Sequence, residues 1–198
     1  MIDRKMGQIL ERLHERGYPD NAVVVFTSDH GDCLGDHGLN HKWNGYDQVT
    51  RVPLIVRSPG RVLAGKMVDG LVQQQDIASY LFRVAGIEQP PGLEIADLSP
   101  ALTGGELAGR DAVYCENAKE KRMCAAHLSV MRTEEWKLVH YLDVEGGQLF
   151  DLKNDPLELD DLWGDPGAAP MKRDLLDHFY RWRMHSVIAT SDWASAVR

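Results

Sequence analysis

A chain of 198 residues, 43% of them hydrophobic and 26% charged, has enough apolar side chains to build one domain, or one and a half, and is excluded from the disordered class. Its 22 Lys and Arg against 30 Asp and Glu leave a net charge of −8, which makes nucleic acid and anionic lipid poor partners but leaves room for a local anion site. Cys33, Cys115 and Cys124 form no C-x-x-C pair, so free reduced thiols are expected rather than a disulfide framework or a cysteine zinc site. No run approaches the ~18 apolar residues of a membrane helix, and Met1–Met6 lacks the apolar core of a signal peptide. As written, the chain reads as soluble and cytoplasmic, with no membrane partner.

Residues 2–16 place Ile2, Met6, Ile9, Leu10 and Leu13 on one stripe at helical spacing, and Gly17 stops that helix before a turn at Tyr18-Pro19-Asp20-Asn21. The unbroken run Ala22–Thr27 predicts a strand buried on both faces, as in a parallel sheet covered by helices. Residues 28–48 are crowded with Gly, Asp, His and Asn and read as a functional loop. A short strand is expected over 52–56 and a helix over 75–85 with Gly86 as its stop; Pro90-Pro91-Gly92 and Thr103-Gly104-Gly105 mark a linker. Beyond it, 112–116, 127–131, 136–141 and 148–152 are strand candidates, with a turn at Glu145-Gly146-Gly147. A helix over 170–188 carries Leu175, Phe179 and Trp182 on one side. The division that follows is an α/β part over residues 1–105 and a small antiparallel α+β subdomain over 106–198.

The chemistry concentrates in Ser28-Asp29-His30-Gly31-Asp32-Cys33-Leu34-Gly35-Asp36-His37-Gly38-Leu39-Asn40-His41-Lys42. Ligands of open α/β sheets bind beyond the carboxyl ends of strands, and Asp29 and His30 stand at such an end. A neighbouring carboxylate and imidazole on a tight turn can both reach one divalent cation; mixed oxygen and nitrogen ligation is compatible with calcium, magnesium, manganese or zinc. An Asp-His pair also serves simply to cap the next element, but a Gly-rich polar loop after a buried strand favours the ligand role. Lys42 is a cation able to neutralise an anion held at that metal, although a lone lysine is most often plain surface charge. His37 and His41 have the weaker claim of supporting or solvated histidines.

These residues resemble a known family. Val24-Val25-Phe26-Thr27-Ser28-Asp29-His30-Gly31-Asp32, Leu34-Gly35-Asp36-His37-Gly38, Lys42 and Arg51-Val52-Pro53-Leu54-Ile55-Val56 are similar to the sulfatase family of the alkaline phosphatase superfamily. So are Tyr18-Pro19-Asp20-Asn21, the helix from Asp76-Ile77 to Ala85-Gly86-Ile87, and Leu149-Phe150-Asp151-Leu152 followed by Asp155-Pro156-Leu157-Glu158. The resemblance implies the C-terminal part of an alkaline-phosphatase-like mixed or parallel sheet sandwich, followed by the antiparallel subdomain. It implies Asp29 and His30 as two ligands of a single divalent cation, calcium first among the candidates, and Lys42 as the catalytic residue that contacts the sulfate. The implied reaction is hydrolysis of a sulfate ester, with relatives that cleave phosphonate or phosphate esters.

The family's nucleophile is a formylglycine made from a Cys/Ser-x-Pro-x-Arg motif, and no such motif is found. Cys33 precedes Leu34-Gly35, Cys115 precedes Glu116-Asn117, Cys124 precedes Ala125-Ala126, and Ser58-Pro59-Gly60-Arg61 has its proline one position early. The early Asp ligands of the family are missing as well. The expectation is therefore a fragment that is inactive alone, its partner being an N-terminal half or an oligomer mate that supplies the nucleophile. The alternatives are a non-catalytic remnant or interaction module, and a two-zinc phosphodiesterase of the same superfamily with His37 on the second metal.

Overall fold

The computed structural model describes residues 1–18, 20–118 and 127–196. Pro19 of the first turn and Cys124 lie outside the described residues; Cys33 and Cys115 are free thiols, the first buried and the second exposed. The chain begins with α1 (Ile2–Glu15), which ends where Gly17 and Tyr18 donate back to His14 O and Leu13 O. None of the α1 residues is buried, and Ile2 and Ile9 of its apolar stripe are 73% and 55% exposed.

β1 (Val24–Thr27) is shorter than the apolar run that predicted it. It pairs antiparallel with β2 (Leu54–Arg57), Val24 opposite Arg57 and Thr27 opposite Leu54. Val24, Val25 and Phe26 are half-buried and Thr27 is exposed, so the strand is not buried on both faces of a parallel sheet. The physical reason is the neighbourhood: among the described residues β1 has one strand beside it, and its other edge carries none. β2 starts late because Pro53 has no N–H to give to a ladder.

Between the strands lies the polar loop, closed by α2 (Asp47–Thr50). After β2, a helical turn at Gln74–Asp76 leads into α3 (Ile77–Ala85), which Gly86 terminates as expected. Asp76 is fully buried and saturated. Its carboxylate accepts from Gln73 N (2.7 Å), Ala96 N (2.8 Å) and Arg110 Nη2 (2.8 Å), tying the start of α3 to the linker. α4 (Ser99–Leu102) follows, and its Leu102 O accepts from Leu63 N at 3.0 Å.

The remaining strands, β3 (Val113–Ala118), β4 (His127–Arg132), β5 (Trp136–Leu142) and β6 (Gly147–Asp151), form an antiparallel meander in sequence order. Period-two alternation gives this sheet two apolar faces. On one, Met131, Leu138 and Leu149 stand in register and pack with Leu175 and Phe179 of α5 (Ala169–Ala196), while Trp182 stacks on Tyr114 with ring centroids 3.8 Å apart. On the other, Leu128, Val130 and Val139 form a second cluster. A Cβ on Gly45 would lie 2.8 Å from Val139 Cγ2 and 3.1 Å from Val130 Cγ2, so only glycine lets the polar loop sit this closely on the sheet. Each fully buried side chain of this kind contributes about 1.5–3 kcal/mol, so the meander and α5 are the stable base on which the loop rests. No helix among the described residues is long and apolar enough to cross a membrane.

Candidate functional site

The loop leaves β1 through Ser28, whose hydroxyl donates to His30 O at 2.7 Å and whose carbonyl accepts from the Gln74 side-chain amide. Gly31 N then donates to Val49 O at 2.8 Å, and a Cβ at residue 31 would collide with the carbonyl oxygen of Gln48. Contact with α2 therefore sets the turn that displays Asp29 and His30.

Asp29, His30 and Lys42 converge. The Asp29 carboxylate, 83% exposed, accepts from His30 N at 3.0 Å through Oδ1 and lies 3.3 Å from His30 Nε2 through Oδ2. The His30 backbone N–H first, and the nearby Lys42 ammonium after it, hold the Asp29 carboxyl below its usual range, so it is a carboxylate. His30 Nδ1 is 2.7 Å from Gly31 O. A carbonyl only accepts, which assigns the proton to Nδ1 and leaves the Nε2 lone pair facing outward. Lys42 Nζ sits 2.6 Å from that Nε2 and donates to it. One carboxylate oxygen and one imidazole lone pair 3.3 Å apart, with an ammonium beside them, are suited to hold a cation and an anion together.

The rest of the loop serves this corner. Asp32 Oδ1 accepts from Leu34 N (2.9 Å) and His41 N (3.0 Å), contacts that keep its carboxyl ionised below the ordinary range, the Leu34 N–H most of all. Cys33 N donates to His41 O at 3.2 Å, and Asn44 Nδ2 donates to the buried Cys33 Sγ at 3.1 Å. Leu34, His37 and His41 all have left-handed φ (49°, 53° and 73°), a concentration of backbone strain typical of a built functional loop. His37 stacks flat on Tyr46, centroids 3.8 Å apart, and His41 serves through its backbone. Neither joins Asp29 and His30: among the described residues no group of three or more His, Cys, Asp or Glu comes together in a metal-binding arrangement.

A charged group that sequence reasoning passed over lies beneath. Lys137, fully buried on β5, contacts Asp47 Oδ1 and Glu158 Oε1, and Glu158 Oε2 accepts from Asp47 N at 2.7 Å. Arg132 Nε is 3.6 Å from the same Asp47 oxygen. A lysine is buried only where carboxylates accompany it, and here they pin the first residue of α2, which in turn holds Gly31. Tyr46 adds a second tie: its hydroxyl accepts from Gln148 Nε2 at 2.9 Å and its ring lies 5.8 Å from that of Phe150. Glu158 belongs to the Asp-Pro-x-Glu run already noted, beyond the end of β6, yet its partner Lys137 lies on β5, and nothing local announces the pair.

Residues 35–185 match the family model of N-sulphoglucosamine sulphohydrolase, C-terminal. The chain is 31% identical over 181 residues to the N-acetylglucosamine-6-O-sulfatase of Bacteroides thetaiotaomicron, a match that covers 88% of this chain and 32% of that protein. It is 34% identical over 181 residues to the choline-sulfatase of Rhizobium meliloti, covering 90% and 34% respectively. Among solved structures, BT4656 in complex with its substrate D-glucosamine-2-N,6-O-disulfate superposes with a TM-score of 0.84 at 28% identity, over 93% of this chain and 38% of that one. The phosphonate monoester hydrolase of Agrobacterium radiobacter does so with a TM-score of 0.84 at 29% identity, over 93% and 39%. The chain thus spans about a third of the length of the curated relatives it matches.

Proposed function

This chain belongs to the sulfatase family, whose C-terminal portion it matches, and from that premise we propose that it carries the cation-holding and sulfate-facing corner of a sulfuric ester hydrolase. The observation that supports this most directly is the meeting of Lys42 Nζ with His30 Nε2 at 2.6 Å beside the Asp29 carboxylate. Asp29 and His30 are two ligands of one divalent cation, calcium in the first instance and magnesium, manganese or zinc otherwise. The donors fit such an ion: Asp29 is ionised, and the Gly31 carbonyl fixes the His30 tautomer that leaves Nε2 unprotonated, its lone pair open to a cation once Lys42 turns away. Two donors are a partial shell, since calcium takes six or more oxygens, and the other ligands fall to the part of the relatives that this chain does not match. When bound, the cation would polarise a sulfate oxygen as a Lewis acid.

The chain's own residues supply the rest. Lys42, released from its hydrogen bond to His30 Nε2, directs its ammonium to the sulfate and offsets the negative charge that grows on the transferring group. Gly31 and α2 hold the Asp29–His30 turn, and Lys137 with Glu158 holds α2. In this reading residues 1–105 complete a catalytic α/β domain, residues 106–198 form the subdomain that braces it, and the nucleophile is a formylglycine on a partner segment. The chain alone is then inactive. A phosphonate or phosphate ester is the second candidate substrate, favoured by the equal likeness to the phosphonate monoester hydrolase.

Two measurements test the proposal. With saturating calcium, the chain alone is expected to show no turnover of an aryl sulfate; hydrolysis that vanishes on Lys42→Ala would overturn the reading. Manganese added to the chain is expected to broaden the His30 ring resonances, and Asp29→Asn is expected to weaken that effect about tenfold. Broadening that ignores Asp29→Asn removes this residue from the ligand set.

A further inference from the structure

His30 Nε2 has a single lone pair, and two claimants reach it. Lys42 Nζ donates to it at 2.6 Å, and a cation held by Asp29 and His30 needs the same electrons. One imidazole nitrogen cannot serve both, because a ligating Nε2 has nothing left to accept from an N–H. An ammonium kept there would also face a second positive charge. Nδ1 offers no alternative, since its proton is spent on Gly31 O at 2.7 Å. The Asp29 carboxylate, 3.3 Å from Nε2, attracts whichever cation stands at that corner and so does not decide between them.

Lys42 has somewhere else to be. The centroid of the Trp43 ring lies 5.5 Å from Nζ, within cation–π reach, so an ammonium that leaves His30 keeps a partner at the site. The backbone beside it is tied down: His41 N donates to Asp32 Oδ1 at 3.0 Å, and His41 O accepts from Cys33 N at 3.2 Å. The exchange is therefore a side-chain movement on a fixed loop. We propose that Lys42 yields His30 Nε2 to the cation and is thereby released to the oxyanion, so that cation and sulfate each tighten the other. Only a hydrogen bond breaks, and no proton changes hands. The inference rests on the cation-holding reading above and adds the regulation of that site. Linkage makes the effect mutual: sulfate that draws Lys42 away opens Nε2 and raises cation affinity by the factor by which the cation raises its own.

The test is a titration of the full chain with zinc, diamagnetic and the strongest imidazole binder of the candidate ions. At fixed pH, the His30 ring and Lys42 side-chain ammonium resonances are followed together and are expected to move with one midpoint. Lys42→Met keeps an unbranched stem and removes the competitor, so zinc is expected to bind about fivefold more tightly, the worth of one hydrogen bond. The ammonium signal separates displacement from plain charge repulsion, which would tighten zinc in Lys42→Met without moving Lys42. Inorganic sulfate, against sodium chloride at matched ionic strength, is expected to tighten zinc about threefold in the unaltered chain and to lose that effect in Lys42→Met. His30 shifting beside an unmoved Lys42, or an unchanged zinc midpoint in Lys42→Met, overturns the displacement and leaves the cation site standing. A sulfate effect of equal size in both proteins overturns the coupling through Lys42. Both residues unmoved by zinc would remove the cation site itself, and the displacement with it.

Discussion

The loop of residues 28–46 and the meander beneath it keep their shapes by opposite means. In the loop, order comes from side chains reaching backbone groups: Ser28 to His30 O, Asp32 to Leu34 N and His41 N, Asn44 Oδ1 to Tyr46 N. Its one deeply buried apolar residue is Cys33. In the meander, order comes from Met131, Leu138, Val139, Leu149 and Phe150, all essentially removed from water. Local hydrogen bonds aim groups without adding much stability, and apolar burial adds stability without aiming anything. The contrast teaches why the two are joined by a buried ion network rather than by further apolar contact: Lys137 and Glu158 transfer the rigidity of the sheet to Asp47, and so to the loop, at a defined register.

That division of labour can be broken first at the junction. Glu158→Ala leaves Lys137 buried with half its compensation and is expected to cost about 3–5 kcal/mol in urea unfolding. The triple change Asp47→Asn, Lys137→Met and Glu158→Gln removes the three mutually contacting charges at once, leaving Arg132, itself about a quarter exposed, at the margin. It is expected to restore most of that loss, because a buried ion pair and an apolar replacement are often nearly equal in stability. A triple variant as unstable as the single one would show the network to be the main source of stability rather than a register device. Asp32→Ala should behave differently. Global stability is expected to change by about 0.5 kcal/mol or less, while amide exchange at Leu34 and His41 accelerates; a large global loss would erase the distinction between loop and base.

The smallest effect is a pH one, on the sheet side. Asp151 accepts from the Asn154 side-chain amide at 2.7 Å and from the Lys153 and Asn154 N–H groups at 3.2 Å, and these hold its carboxyl below its ordinary value of 3.8. A depressed carboxyl means that the folded chain favours the ionised form. Its stabilisation is therefore complete above the unfolded-chain value and is lost as pH falls through the lower folded-state value. Asp151→Asn is expected to flatten the acid limb of a stability–pH curve slightly and leave the curve near neutrality unmoved. An unchanged acid limb would separate Asp151 from that titration.

Legibility in the sequence follows the same line. The four strands of the meander and α3 with its Gly86 stop were readable because their apolar periodicity is local. The run Ala22–Thr27 announced an apolar strand correctly, but burial depends on what lies beside a strand, and β1 has β2 on one edge alone among the described residues. Asp29, His30 and Lys42 could be named as candidates from their place after a strand and from family resemblance, and the structure brings the three side chains together. The tautomer of His30 was not, because it rests on the single carbonyl of Gly31. Lys137 was the hardest to see: within Trp136–Tyr141 it looks like the solvated member of an alternating strand, and its carboxylate partners sit on α2 and beyond β6. Sequence proximity carries no trace of such a contact.

The hydrogen bond from Asp47 N to Glu158 spans 111 positions of the chain, whereas every strand of the meander pairs with its immediate successor. Chains close short loops before long ones, and local pairings form fastest. The meander is therefore expected to assemble first, with the loop of residues 28–46 captured onto it afterwards when α2 meets Lys137. Pulse-labelled hydrogen exchange during refolding would check the order: amides of β4 and β5 should gain protection ahead of Gly31 and Val49, and simultaneous protection would argue for a single concerted step. In such a molecule the site is the last thing the fold finishes, and Glu158 is the residue that completes it.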